Sequence, residues 1–169
     1  NFDLSDMGGW FASQQLVAVA NYTYTQSNIE VGPDDIAQVF PFADQPASNF
    51  FEDGVPLTGQ SDHLVNLQLG LDDLDLLSQF TFLLKYASER ISSRGAGPLP
   101  DIIEEPGLSL DFVVRQGIDL GGNEIELKFE ARNLTGQDQE EFQTNGERRI
   151  EINSYDVGQS FSIGASLKF

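Results

Sequence analysis

From Tyr155 onward the odd positions carry Tyr155, Val157, Gln159, Phe161, Ile163, Ala165, Leu167 and Phe169. The even positions carry Asp156, Gly158, Ser160, Ser162, Gly164, Ser166 and Lys168. Only Gln159 breaks the apolar set. A helix would mix the two sets around its circumference, whereas a strand puts them on opposite faces, so the spacing predicts a strand over 155–169. The same alternation sets Ile125, Leu127, Phe129 and Ala131 against Glu124, Glu126, Lys128, Glu130 and Arg132. It recurs at Leu108, Leu110, Phe112, Val114, Ile118 and Leu120, at Phe80, Phe82, Leu84 and Tyr86, and at Val65, Leu67 and Leu69. The first such segment puts Leu16, Ala18, Ala20, Tyr22 and Tyr24 on one face, with Val17, Val19, Asn21 and Thr23 on a less cleanly polar one. The expectation is about six strands, most of roughly 9–12 residues. Soluble strands are usually shorter, about 5–6 residues, whereas ~9–11 tilted residues cross a bilayer.

The connections alternate in length. Asp119-Leu120-Gly121-Gly122-Asn123 reads as a tight hairpin whose glycines can take positive φ. Asp72 to Leu77 and Asp6-Met7-Gly8-Gly9 read as further short turns. Between them lie long connections at Gln26–Gln60, Ile91–Gly107 and Gly136–Arg149, rich in Pro, Gly and acidic residues. An antiparallel up-and-down meander with this order has all its turns at one end and all its long loops at the other. No internal repeat or domain boundary interrupts residues 1–169.

Composition narrows the function. The chain has 169 residues, no Cys, one His, one Trp and a formal charge of -18. A chain this acidic repels phosphate backbones, so no nucleic-acid partner is expected. It is also disfavoured at an anionic cytoplasmic leaflet. Zero Cys removes disulfide frameworks, Cys-ligated zinc and thiol catalysis. The hydrophobic fraction of 40% is too high for a disordered acidic chain. The longest purely apolar run, Leu16 to Ala20, is far short of the ~18 residues of a membrane helix, and Asn1-Phe2-Asp3-Leu4 carries no signal-peptide pattern.

Period-2 alternation also fits a soluble extracellular β-sandwich used for binding, with each apolar face turned to a core. Strand length and the asymmetric ends favour a transmembrane barrel with short periplasmic turns and long outer loops. Trp10 and Phe11 fall at the turn end of the first strand, and Tyr22, Tyr24 and Tyr86 near the loop ends of theirs. Amphipathic rings at these levels match membrane-interface girdles.

The run Ser162-Ile163-Gly164-Ala165-Ser166-Leu167-Lys168-Phe169 resembles the outer-membrane β-signal: a polar residue, Gly, a hydrophobic and a terminal aromatic, met by Ser162, Gly164, Leu167 and Phe169. Phe129-Glu130-Ala131-Arg132-Asn133-Leu134-Thr135-Gly136 resembles the penultimate-strand segment of TonB-dependent receptors. Ala20 to Thr25 and Gly59 to His63 resemble a strand and a loop exit further upstream in that family's barrel. The resemblance implies an all-β fold: about six long strands at the C-terminal end of a 22-stranded transmembrane barrel, with the plug and earlier strands outside residues 1–169. It implies active uptake of a scarce ligand such as a siderophore, cobalamin or saccharide, with this chain supplying wall, outer loops and assembly signal. The implied location is the Gram-negative outer membrane. The implied partners are its lipid and lipopolysaccharide, the barrel-assembly machinery, the imported small molecule, and the TonB complex acting through the plug.

Candidate chemistry adds little. His63 has no nucleophile or orienting acid that the sequence can pair with it, so no enzyme is expected. Asp72-Asp73-Leu74-Asp75 lacks the Gly and bidentate Glu of a calcium loop and reads as a solvated turn. Asp101, Glu104, Glu105, Asp138, Glu140 and Glu141 could hold a divalent cation or a cationic ligand, but plain solvation is the favoured reading. No metal site and no cofactor are therefore assigned. Gly95-Ala96-Gly97 precedes Pro98 rather than a helix and is no phosphate loop. The sequons at Asn21 and Asn133 are read as lying within strands and fortuitous. Ligand contacts are expected in the three long loops, with no residue singled out.

Overall fold

A computed structural model describes residues 1–38, 44–73, 75–95 and 99–168. The described residues fold as strands joined by turns and short 3-10 helices, with no α-helix. In chain order the strands are β1 (Phe2–Asp3), β2 (Gln14–Tyr24), β3 (Ile36–Ala37), β4 (Gln45–Pro46), β5 (His63–Asp73), β6 (Ser78–Ala87), β7 (Arg90–Ser93), β8 (Ile102–Glu104), β9 (Gly107–Leu120), β10 (Asn123–Arg132), β11 (Gln139–Asn145), β12 (Arg148–Tyr155) and β13 (Ser160–Lys168). A seven-stranded antiparallel sheet runs β1-β2-β5-β6-β9-β10-β13. This is the expected up-and-down meander, with its six long strands at β2, β5, β6, β9, β10 and β13. β1 and β13 stand at opposite edges, so the described residues form an open sheet.

Register follows from the alternation, because a slip of one residue would turn a strand's whole apolar set to the other face. Phe2, Leu16, Leu71, Phe80, Val114, Phe129 and Ile163 are successive cross-strand partners and form one apolar row across all seven strands. Ala18, Leu69, Phe82, Phe112, Ala131 and Phe161 form the next. Aromatic contacts run along this second row, where Phe82 and Phe112 stack with centroids 4.5 Å apart. The β9–β10 hairpin closes on Gly121 and Gly122, at φ 67° and 92°. Both are left-handed, as a two-residue turn matched to strand twist requires.

The long connections are not irregular throughout. They contain a four-stranded sheet in the order β12-β11-β8-β7. β7 follows β6 after two residues, and β8 leads into β9 after two. β11 follows β10 after six residues, and β12 leads into β13 after four. The second sheet therefore continues β13, β10, β9 and β6 column for column. Between the two sheets the ladders break. Pro106 has no N–H to donate, and Asn133 and Gly158 take positive φ of 54° and 69°.

This break corrects the expected strand over 155–169. Tyr155 ends β12 and Ser160 begins β13, with a turn in which the Gly158 N–H donates to Asp156 Oδ1 at 2.6 Å. The one polar residue on the odd face marks the interruption: Gln159 turns its Nε2 to the Leu134 carbonyl at 3.0 Å. Asn133-Leu134-Thr135 also lies past the end of β10, not within a strand.

Little apolar surface is enclosed among the described residues. Among the described residues the only buried apolar side chains are Ala47, Ala131 and Phe142. Among the described residues no second layer of strands packs on the apolar rows of the long sheet, and Ile163 is 83% exposed. The substantial strand contacts all run between paired neighbours within a sheet.

Candidate functional site

The chain offers four working surfaces: an apolar face, a polar face, a bonded seam between the two sheets, and an outer cleft.

At the turn end of the apolar face, the 3-10 segment Gly9–Ser13 carries Trp10 and Phe11, whose rings meet edge to face at 5.1 Å. Trp10 lies over an apolar hollow lined by Leu16, Leu71, Phe80 and Phe112. The segment is pinned by Asp73, which accepts from Ser13 Oγ at 2.8 Å and from Gln14 Nε2 at 2.6 Å. The other oxygen of Asp73 accepts from the Asp75 and Leu76 N–H groups, both at 3.0 Å.

At the loop end, Tyr22, Val65, Tyr86 and Leu108 form the last full row of the same face. Tyr24 stands opposite His63, with rings 5.2 Å apart, and the Tyr22 hydroxyl shares a 2.9 Å hydrogen bond with His63 Nδ1. The structure thus brings Trp10 and Phe11 to one end of the sheet and Tyr22, Tyr24 and Tyr86 to the other. His63 belongs to this aromatic cluster, and its backbone N–H donates to Ser88 Oγ at 3.1 Å.

The opposite face carries the charges. Lys128 pairs with Glu130 at 2.6 Å, Arg132 with Glu130 at 3.4 Å and Lys85 with Asp111 at 4.0 Å. Of the expected assembly-signal residues, Ser162 and Gly164 lie on this face, opposite Glu130 and Lys128. Leu167 lies on the apolar face opposite Ile125. Phe169 lies outside the described residues.

The seam is held by side chains that the alternation did not reveal. Asn133 Nδ2 donates to the carbonyls of Gln137 at 3.0 Å and Gly158 at 2.9 Å, while its Oδ1 accepts from the Gln137 N–H at 2.9 Å. Its own N–H donates to Asp111 at 2.9 Å, and Thr135 Oγ1 donates to the Leu108 carbonyl at 2.7 Å. The run Asn133-Leu134-Thr135 thus fastens β9, β10 and β13 together at their loop ends. A left-handed Asn between a strand and a polar loop was the available signal.

Beyond the seam, arginines divide the acidic residues among themselves. Arg90 makes a bidentate pair with Glu104 at 2.6 and 2.8 Å. This hydrogen bonding raises the Arg90 pKa and lowers that of Glu104, against the opposing effect of burial. Arg94 pairs with Asp101 at 2.6 Å. Arg149 lies 3.7 Å over the Phe142 ring and contacts Glu151, Glu140 and Glu105. The hydrogen bonds it donates, first to Glu151 and then to Glu140, raise its pKa. Among the described residues no His, Asp and Glu side chains are grouped to hold a metal ion. Asp101, Glu104, Glu105 and Glu140 face guanidinium groups instead. In loops so short of basic residues, each arginine was itself the signal.

The three expected ligand-contacting loops map onto these outer parts. Gln26–Gln60 carries β3 and β4, Ile91–Gly107 carries most of β7 and all of β8, and Gly136–Arg149 carries β11. Between the first two, a cleft of about 240 Å³ opens between Ser48–Glu52 on one side and Arg94, Gly95, Leu99 and Asp101 on the other. No family model matches this chain, and neither a curated protein nor a solved structure matches it.

Proposed function

We propose that this chain forms the last wall strands of an outer-membrane β-barrel of the TonB-dependent receptor type, which takes up a scarce ligand in a Gram-negative cell. The observation that carries the reading is the apolar face. Seven strands align their apolar rows in register, and among the described residues no second layer covers them. In water such a surface is an aggregation site, whereas against lipid it is the required one. From Leu16 to Tyr24 is about 26 Å of strand at ~3.3 Å per residue. At a barrel strand's tilt of about 40° this becomes roughly 20 Å of height, near the ~25 Å apolar band of outer-membrane barrels. Aromatic rings bound the face at both ends.

In this reading, lipid and lipopolysaccharide cover the apolar face, and the polar face turns to the lumen. The barrel-assembly machinery reads Ser162, Gly164, Leu167 and Phe169. Energy comes from the TonB complex through a plug elsewhere in the protein. The chain is a transport wall, not an enzyme.

The test is fractionation of the native protein, followed by electrophoresis with and without boiling. An outer-membrane product that migrates faster unheated supports the barrel. A native product that is monomeric and soluble without detergent overturns it and favours a soluble β-sandwich.

A further inference from the structure

We propose that Asn145 is a self-modification site, which loses its side-chain amide spontaneously through a cyclic imide formed with the backbone nitrogen of Gly146. The step needs only water, so it does not depend on the receptor reading.

The site is the tip of the β11–β12 hairpin. Asn145 and Arg148 are cross-strand partners, and Gly146-Glu147 make the turn between them. Closing a cyclic imide requires the Gly146 nitrogen to lose its proton and reach the Asn145 side-chain carbon. Three features leave that approach open. The Gly146 N–H donates to no group among the described residues. Gly146, at φ 64°, has open space where a Cβ would stand, so no side chain shields the attacking nitrogen. The Asn145 side chain is exposed and makes no hydrogen bond among the described residues.

Other candidate positions are closed. Of nine Asn residues only Asn145 precedes Gly. Asn133 precedes Leu134 and has both ends of its amide bonded. Asp53-Gly54 has the same spacing with a carboxyl in place of the amide. There the Gly54 N–H is committed to the Ile29 carbonyl at 2.8 Å, and Asp53 Oδ1 to the Val31 N–H at 2.9 Å.

The atoms balance with water alone. The Gly146 nitrogen gives its proton to hydroxide and bonds to Cγ of Asn145. The side-chain nitrogen takes a proton from water and leaves as ammonia. Water then opens the imide. Opening at Cγ gives aspartate, whereas opening at the main-chain carbonyl carbon gives isoaspartate, with one extra carbon in the backbone. Either product adds a negative charge opposite Arg148, which makes no ion pair among the described residues. Opposite charges facing across a strand pair attract. The extra carbon of isoaspartate also puts β11 out of phase with β12 at the turn.

The full natural chain is held folded at mildly acid and mildly alkaline pH, in water enriched in heavy oxygen, and then digested with trypsin. Cleavage after Arg132 and Arg148 releases residues 133–148, which carry Asn133 and Asn145 together. Fragmentation of that peptide locates the change. The expected result is conversion at Asn145 with uptake of one heavy oxygen, faster at alkaline pH, and none at Asn133. Gly146→Ala, which shields the nitrogen, and Asn145→Gln, which requires a larger ring, each slow conversion about tenfold or more. Asn145→Gln leaves the turn backbone as it is and decides the matter where Gly146→Ala distorts it. No conversion at Asn145, equal conversion at Asn133, or an unchanged rate in Asn145→Gln overturns the proposal.

Discussion

The side-chain amide of Asn133 reaches from the end of β10 to the carbonyl of Gly158, 2.9 Å away at the entrance to β13. The same residue holds Gln137 at both its N–H and its carbonyl. Asn133→Ala removes these bonds and puts a residue with no local side-chain acceptor at φ 54°. A loss of about 1–3 kcal/mol is expected in urea unfolding from lipid vesicles. Asn133→Gly keeps the backbone conformation accessible and should lose less. Equal stability of wild type and both variants would show that the seam is fastened elsewhere.

Leu69 and Gln68 are neighbours on β5 that belong to opposite faces. If the apolar face meets lipid, Leu69→Arg costs about 2–4 kcal/mol, the scale for an arginine at mid-membrane. Gln68→Arg, turned to the lumen, is nearly neutral. Folding into vesicles, read by heat-modifiable migration, compares the two. Equal effects would contradict a lipid-facing surface.

Trp10 is the only tryptophan in the chain, so its fluorescence has a single source. It is 58% exposed over the apolar hollow at the turn end. In vesicles its emission should shift to shorter wavelength. Lipids brominated near the headgroup should quench it more than lipids brominated at the chain ends. Quenching by aqueous acrylamide alone would place the ring in water.

Glu104 has a folded pKa below its ordinary 4.5, because Arg90 donates two hydrogen bonds to its charged form. A depressed carboxyl pKa contributes stability that is complete above the unfolded value and is lost as pH falls through the folded one. The outer sheet should therefore loosen below about pH 4.5, with faster proteolysis between Arg90 and Glu104. Glu104→Gln should be weaker at neutral pH and show a flatter acid response. The same pH response in wild type and variant would exclude this pair as the cause.

Phe169→Ser in the full protein should lower its outer-membrane level, as expected if the C-terminal run is an assembly signal. Quantitative blotting of membrane fractions checks this, and unchanged levels would count against the signal.

The long sheet was legible because one of its faces is apolar throughout. Leu67 and Leu69 cannot share a face with Gln68, and that constraint, repeated in six strands, fixes element type and much of the register. The outer sheet was not legible. β7 and β8 have four and three residues, and β11 has Phe142 as its only apolar side chain. Strands this short, or with a single apolar side chain, hold too few alternating positions to read. In β12 and β13 the alternation carried too much: Tyr155 and Val157 continued it across a turn where Gln159 was the one discordant residue. The cleft was illegible for another reason. Asn49 and Arg94 lie on different loops, and only tertiary folding brings them to one hollow.

The correspondence between the two sheets frees loop length from wall geometry. A residue inserted beside Gly146 shifts β11 against β12, but the phase error stops at the line drawn by Pro106, Asn133 and Gly158. Below that line β10 still meets β13 with Phe129 opposite Ile163. In the proposed receptor, the outer hairpins can therefore lengthen, shorten or change residues over generations, altering what the cell captures, while one inherited wall goes on folding unchanged beneath them.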